Sequence, residues 1–207
     1  MKILLTAFDP FGGETVNPAQ EAVRLVADEI RGVHIAKLII PTVFGRSADT
    51  VTEAMRSLRP NAVVCVGQAG GRKAITFERV SINVDDASYP DNQGNQPVDQ
   101  TIIQNGPAAY FSTLPNKAMV QAINNAGLPA AVSNTAGTFV CNHLMYGVMH
   151  LIQSEMPNTL GGFIHVPYLI EQAMEKCPPA FGMTLSDMVK GLEAALGAVA
   201  RVLKDTP

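Results

Sequence analysis

With 207 residues, 47% of them hydrophobic and 16% charged, the chain has the size and apolar content of one folded α/β domain with a large core. A net charge of −3, with no run of Lys or Arg, excludes the electrostatic footprint of a nucleic-acid binder. No apolar stretch approaches the roughly 18 residues of a membrane span, and MKILLTAFDP lacks the long apolar core of a secretory signal. Three cysteines fit free thiols in a reducing, cytoplasmic compartment better than a disulfide framework.

Lys2–Phe8 is a short apolar run that reads as a first strand. Asn17-Pro18 opens a helix, Asn as cap and Pro at the first helical position. Its inward stripe is Ala19, Ala22, Val23, Val26 and Ile30. His34–Ile40 is the next strand. Ala48, Val51, Met55 and Leu58 mark a second helix, stopped before Pro60. Ala62–Val66 has the continuous apolar character of a strand covered on both faces. Ile75–Val84 reads as a strand or hairpin arm, and Asp85–Thr113 is a long irregular stretch of the kind that carries function. Helix, strand, helix and strand are expected at 116–126, 129–133, 142–156 and 160–166. Leu185 to Leu203 then carry the stripe of a terminal amphipathic helix capped near Thr184. The alternation predicts a single α/β domain over 1–207, with a mostly parallel, twisted open sheet and helices on both faces.

In such sheets the ligand crevice lies beyond the carboxyl ends of the strands. Four segments are expected to leave strands there: 8–13 (FDPFGG), 67–72 (GQAGGR), 136–142 (AGTFVCN) and 165–168 (HVPY). The Gly-rich pair matches neither the P-loop nor GxGxxG, so phosphate binding is a weak signal, and no cluster has metal-ligand spacing. Cys65 lies inside a strand and reads as a core thiol, and Cys177 precedes two prolines in a loop. Cys141 alone sits where a strand and a glycine bend lead into a helix. There the free N–H groups and helix dipole favour a thiolate and can hold an oxyanion. His143 and His150 turn away from Cys141 on that helix, and His34 lies in a strand. His165, at a strand end before Pro167, is left as the base. For Glu78 the residues alone favour an ion pair with a neighbour such as Arg79.

These residues fall within FDPFGGETVNP (8–18), VGQAGGRKAITFERVSIN (66–83), PDNQGNQP (90–97), AGTFVCNHLMYG (136–147) and GGFIHVP (161–167). Together, in this order and spacing, they resemble the pyroglutamyl-peptidase I (pyrrolidone-carboxylate peptidase) family over nearly the whole chain. The resemblance implies an α/β cysteine peptidase that needs no cofactor or metal, is cytoplasmic and often tetrameric, and removes N-terminal pyroglutamyl residues from peptides. It assigns the catalytic Cys, His and Glu to Cys141, His165 and Glu78, and aromatic pocket residues to Phe8, Phe11 and Phe139. The backbone of the 8–13 and 67–71 loops is expected to bond the lactam, with Gln68 among the substrate contacts. One departure stands out: Ser88 occupies a place where the family usually carries Arg, and Arg72 or Arg79 are candidates to replace it. The rival readings are a nucleoside-phosphorylase-like enzyme, which would need phosphate and not Cys141, and a silent pyroglutamyl-peptide-binding protein.

Overall fold

The structure, a computed structural model, describes residues 1–205. In chain order its elements are β1 (Lys2–Phe8), α1 (Pro18–Leu25), β2 (Glu29–Ile30), β3 (Val33–Ile40), α2 (Arg46–Leu58), β4 (Ala62–Gln68), β5 (Ile75–Glu78), β6 (Val80–Ile82) and β7 (Ala109–Phe111). They continue as α3 (Asn116–Asn125), β8 (Ala130–Ser133), α4 (Val140–Glu155), β9 (Leu160–Val166), β10 (Tyr168–Leu169), α5 (Ile170–Met174), β11 (Gly182–Met183) and α6 (Leu185–Asp205). Seven strands form one sheet in the order β2–β3–β1–β4–β9–β5–β8.

Strand alternation sends neighbouring side chains to opposite faces, and two cores result. Ile3, Leu5, Val64, Val66, Ile164, Ile75 and Phe77 pack with α1, α3 and α6. Leu4, Phe8, Val63, Cys65 and Phe163 pack with α2 and α4. Helix α1 starts as expected, the Asn17 side chain accepting from Ala19 N at 3.0 Å with Pro18 in the first turn. It ends one residue before Val26, however, and Ile30 belongs to β2. Ile75–Val84 is not one strand. It breaks at Arg79, β5 joining the main sheet and β6 forming a ribbon with β7. The strands and helices from 116 to 166 lie within a residue or two of their predicted ranges.

Sheet direction corrects one expectation. β1, β3, β4 and β9 are parallel, whereas β5 pairs with β9 antiparallel and β8 follows β5. The 136–142 segment therefore does not leave a strand at the common carboxyl edge. Residues 134–139 carry the chain back there before α4 begins. The long 85–113 segment is pinned by an Asp85–Gln100 bridge and by Asp91, a buried hub whose carboxylate accepts from Phe44 N, Gln93 N and Asn95 N.

Candidate active site

Register brings two of the expected residues, His165 and Glu78, to one patch. β4 and β9 align Gly67 with His165, and β9 and β5 align His165 with Thr76. Directly paired residues share a face, as do positions two apart. Gly67, Thr76, Glu78, Phe163 and His165 thus all belong to the α4 face of the sheet. Glu78 lies diagonally across from His165, and its Oε1 is 2.7 Å from His165 Nδ1. Both side chains are buried.

Helix α4 delivers the sulfur to the same patch. Cys141 is in its first turn, after Phe139 as cap. A Cβ built on Gly67 would lie 3.2 Å from Cys141 Sγ and 2.9 Å from Phe163 Cζ. The missing side chain of Gly67 is therefore the space into which Cys141 and Phe163 settle. Because Gly67 and His165 are ladder partners, the sulfur and the imidazole belong to adjacent strand positions on one face. Asn142 locks the helix start: it accepts from Ile82 N and donates to Ile82 O and Val84 O, each at 2.9 Å.

A fourth residue completes the charge pattern. Arg72 Nη1 donates to Glu78 Oε1 and Thr76 Oγ1, and its Nη2 donates to Thr135 O at 3.2 Å. Glu78 is thus paired with Arg72, not with Arg79, whose side chain is exposed. Three of the five guanidinium N–H groups of Arg72 are taken up in this way.

Burial by itself would raise the Glu78 carboxyl. The His165 hydrogen bond and charge, with Ser133 and Arg72, outweigh it and hold the group below the usual carboxylate range. An ionised Glu78 is acceptor only, so His165 Nδ1 donates and Nε2 is left as the acceptor. Burial also outweighs Glu78's pull on the imidazole, which lies below its ordinary 6.5. Burial, aided by the Glu78 charge, pushes the Cys141 thiol up to about 12. The helix start favours the thiolate, but the dipole, worth at most about 2 kcal/mol, is outweighed by desolvation. Both shifts favour the neutral pair, thiol and imidazole, over the ion pair.

Such an array, a thiol, an imidazole acceptor and a carboxylate on one face, can run acyl transfer. A family model described as pyroglutamyl peptidase matches residues 1–202. The chain belongs to the pyroglutamyl peptidase family. It is 55% identical over 199 residues to the pyrrolidone-carboxylate peptidase of Streptococcus pyogenes serotype M4, covering 96% of this chain and 92% of that one. It resembles the crystal structure of Bacillus amyloliquefaciens pyroglutamyl peptidase I with a TM-score of 0.92 at 50% identity, covering 97% of each chain. A mutant pyrrolidone carboxyl peptidase from the hyperthermophile Pyrococcus furiosus superposes with a TM-score of 0.93 at 34% identity, covering 98% and 99% of the two chains.

The substrate side of a pyroglutamyl peptidase would lie at the carboxyl edge. There a cavity of about 770 Å³ is lined by Phe11, Gln68, Gly70, Tyr89 and Tyr168, among others. Phe139 adjoins it, its ring centroid 6.3 Å from that of Phe11 and 4.6 Å from that of Tyr89. Phe8 is placed differently: it is 2% exposed and packs on Phe163 beneath the patch. Tyr89 and Tyr168 were missed because they stand in loop or two-residue strand segments without periodicity. The glycine preceding Gln68 was the one signal of Gly67's role.

Cys65 is fully buried in β4 and its thiol is pushed up to about 12, as a core residue's should be. Cys177 is exposed and free. His150 bonds Tyr110 at 2.8 Å, and His143 bonds Asp85 at 2.7 Å. Among the described residues no group of three potential ligands converges on a metal site.

Proposed function

We propose that this chain is a cysteine exopeptidase that hydrolyses the N-terminal pyroglutamyl residue of peptides through a thioester. The observation that carries this reading is Cys141 Sγ seated over Gly67, the ladder partner of an imidazole whose Nδ1 is held by Glu78. As the sulfur attacks the pyroglutamyl carbonyl carbon, its proton passes to His165 Nε2. The first-turn N–H of Cys141 takes the developing oxyanion. Glu78 stabilises the imidazolium, and Arg72 keeps Glu78 ionised and aimed. His165 then returns the proton to the leaving amine as the C–N bond breaks. Water, deprotonated by His165, cleaves the thioester and restores the thiol.

The lactam ring fits against Phe11 and Phe139, while Phe8 packs on Phe163 beneath the patch. Gln68 and the backbone of the 8–13 and 67–71 loops bond its N–H and C=O. Proline lacks the ring carbonyl and would strand those donors, a larger penalty than a lost methylene. We infer a cytoplasmic homo-oligomer, a tetramer. The three free thiols support the compartment, and light scattering tests the assembly.

The deciding experiment is turnover of a fluorogenic pyroglutamyl amide, with and without phosphate, beside Cys141→Ala. Phosphate-independent release in the wild type is expected, with kcat lower by about 10⁴-fold or more in the variant. Retained activity in Cys141→Ala would refute the scheme. A phosphate requirement would favour the phosphorylase reading, and tight binding without release the silent one.

A further inference from the structure

The cavity is larger than the group assigned to it. About 300–1,000 Å³ is the size that drug-sized ligands fill, and at about 770 Å³ this one far exceeds a five-membered lactam. With the ring placed against Phe11 and Gln68, the rest of the lining includes two tyrosines, Tyr89 and Tyr168.

Tyr89 is 43% exposed, yet its ring lies 4.6 Å from that of Phe139, two residues before Cys141. It is too open for a core residue and too near the sulfur to be remote from substrate. Tyr168 is held from two sides. Its phenol rests on Gly70, where a Cβ would stand 2.1 Å from the Tyr168 oxygen. Lys176 Nζ lies 5.0 Å from the centre of its ring. The charge of Lys176 is answered by Glu14, also in the lining, and Asp91 is committed to backbone N–H groups. The charged groups of the lining are thereby satisfied internally, while the two aromatic rings still have open area.

We propose that this outer part of the cavity is a subsite for the residue following pyroglutamate, with Tyr89 and Tyr168 as its walls, and that it favours aromatic side chains in the leaving group. The proposal rests on the peptidase reading above. Aromatic pairs gain from offset or edge-on contact beyond the area they bury. A glycine in the same place gains neither, and a charged residue meets no unpaired partner.

The test compares kcat/KM for pyroglutamyl-phenylalanine amide and pyroglutamyl-glycine amide, read as free pyroglutamate. The wild type should prefer phenylalanine by about tenfold, and Tyr89→Ala and Tyr168→Ala should each cut that preference about three- to fivefold. Tyr168→Phe, which keeps the ring, should preserve it. A wild-type ratio near one would overturn the subsite. So would a ratio that both alanine variants leave intact, including an equal loss on both substrates, which would put the tyrosines in the lactam pocket. Release from neither substrate by the wild type would instead overturn the peptidase reading, and the subsite with it.

Discussion

The molecule builds a histidine–carboxylate pair twice, and the two pairs have different roles. In each, Nδ1 lies 2.7 Å from a carboxylate oxygen: His165 with Glu78, His143 with Asp85. They differ at the second nitrogen. His143 Nε2 accepts the Gly45 N–H at 3.1 Å, and its ring stands edge-on to Phe44. It ties α4 to the start of α2 and has no acceptor to offer. His165 Nε2 has no hydrogen-bond donor among the described residues, and a cysteine sulfur lies over its ladder partner Gly67. A carboxylate behind an imidazole fixes a tautomer; whether that tautomer is structural or reactive depends on what the other nitrogen faces.

Breaking the reactive pair should have the largest effect. Glu78→Gln can present an amide N–H to Nδ1 and so stabilise the wrong tautomer, and it leaves Arg72 without its ionic partner. We expect kcat to fall about 10²–10⁴-fold, with KM within a few-fold of wild type, in steady-state assays on a pyroglutamyl amide. The parallel substitution Asp85→Asn should leave kcat within about twofold. If the two substitutions had equal effects on kcat, the contrast would collapse.

pH sharpens the same contrast. His165 must be neutral to take the proton, and burial holds it below its ordinary 6.5. The acid limb of kcat/KM should therefore fall below pH 6.5. The sign for stability follows: protonating His165 is resisted by the fold, so stability present above pH 6.5 is lost as pH falls through the lowered value. Cys141 is shifted the other way, from 9.0 to about 12. Its neutral form is the folded form, and that contribution is full below pH 9 and lost as pH rises toward 12. In the free enzyme, alkylation of Cys141 by iodoacetamide should climb about tenfold per pH unit between 7 and 9. A flat rate over that range would mean a thiolate already formed at neutral pH.

Local pattern carried much of this site. A strand end, a glycine bend and a helix start mark Cys141 wherever the strands run, and the 100° turn per helical residue removes His143 and His150 as its partners. Glu78 was not legible in the same way. Arg79 is adjacent to it in sequence, but alternation sends the two to opposite faces, while the β4–β5 turn returns Arg72 to its side. Strand direction is a tertiary choice, and hydrophobic periodicity is the same for β5 up or down. Two-residue strands such as β2, β10 and β11 are shorter than any periodic window, so within the 165–168 segment nothing singled out Tyr168. Ile30 fitted the α1 stripe until Val26 ended the helix. The family resemblance supplied Glu78, which residue chemistry alone left as an ordinary ion pair.

The smallest effect should come from the structural pair. His143→Ala removes both hydrogen bonds of the bridge and strands two part-buried groups, Asp85 Oδ2 and the Gly45 N–H. Leaving such groups unsatisfied costs about 1–3 kcal/mol, partly offset by the better helix propensity of Ala in α4, about 0.5 kcal/mol. The net loss should be read as a lower urea midpoint with an unchanged slope, since the surface exposed on unfolding is nearly the same. Turnover should stay within about twofold, because Asn142 still fastens the first turn of α4 through Ile82 and Val84 and Gly67 still seats the sulfur. A fall in kcat to the level of Glu78→Gln, with stability unchanged, would mean that His143 reaches the reacting atoms and that the second nitrogen does not separate the two pairs.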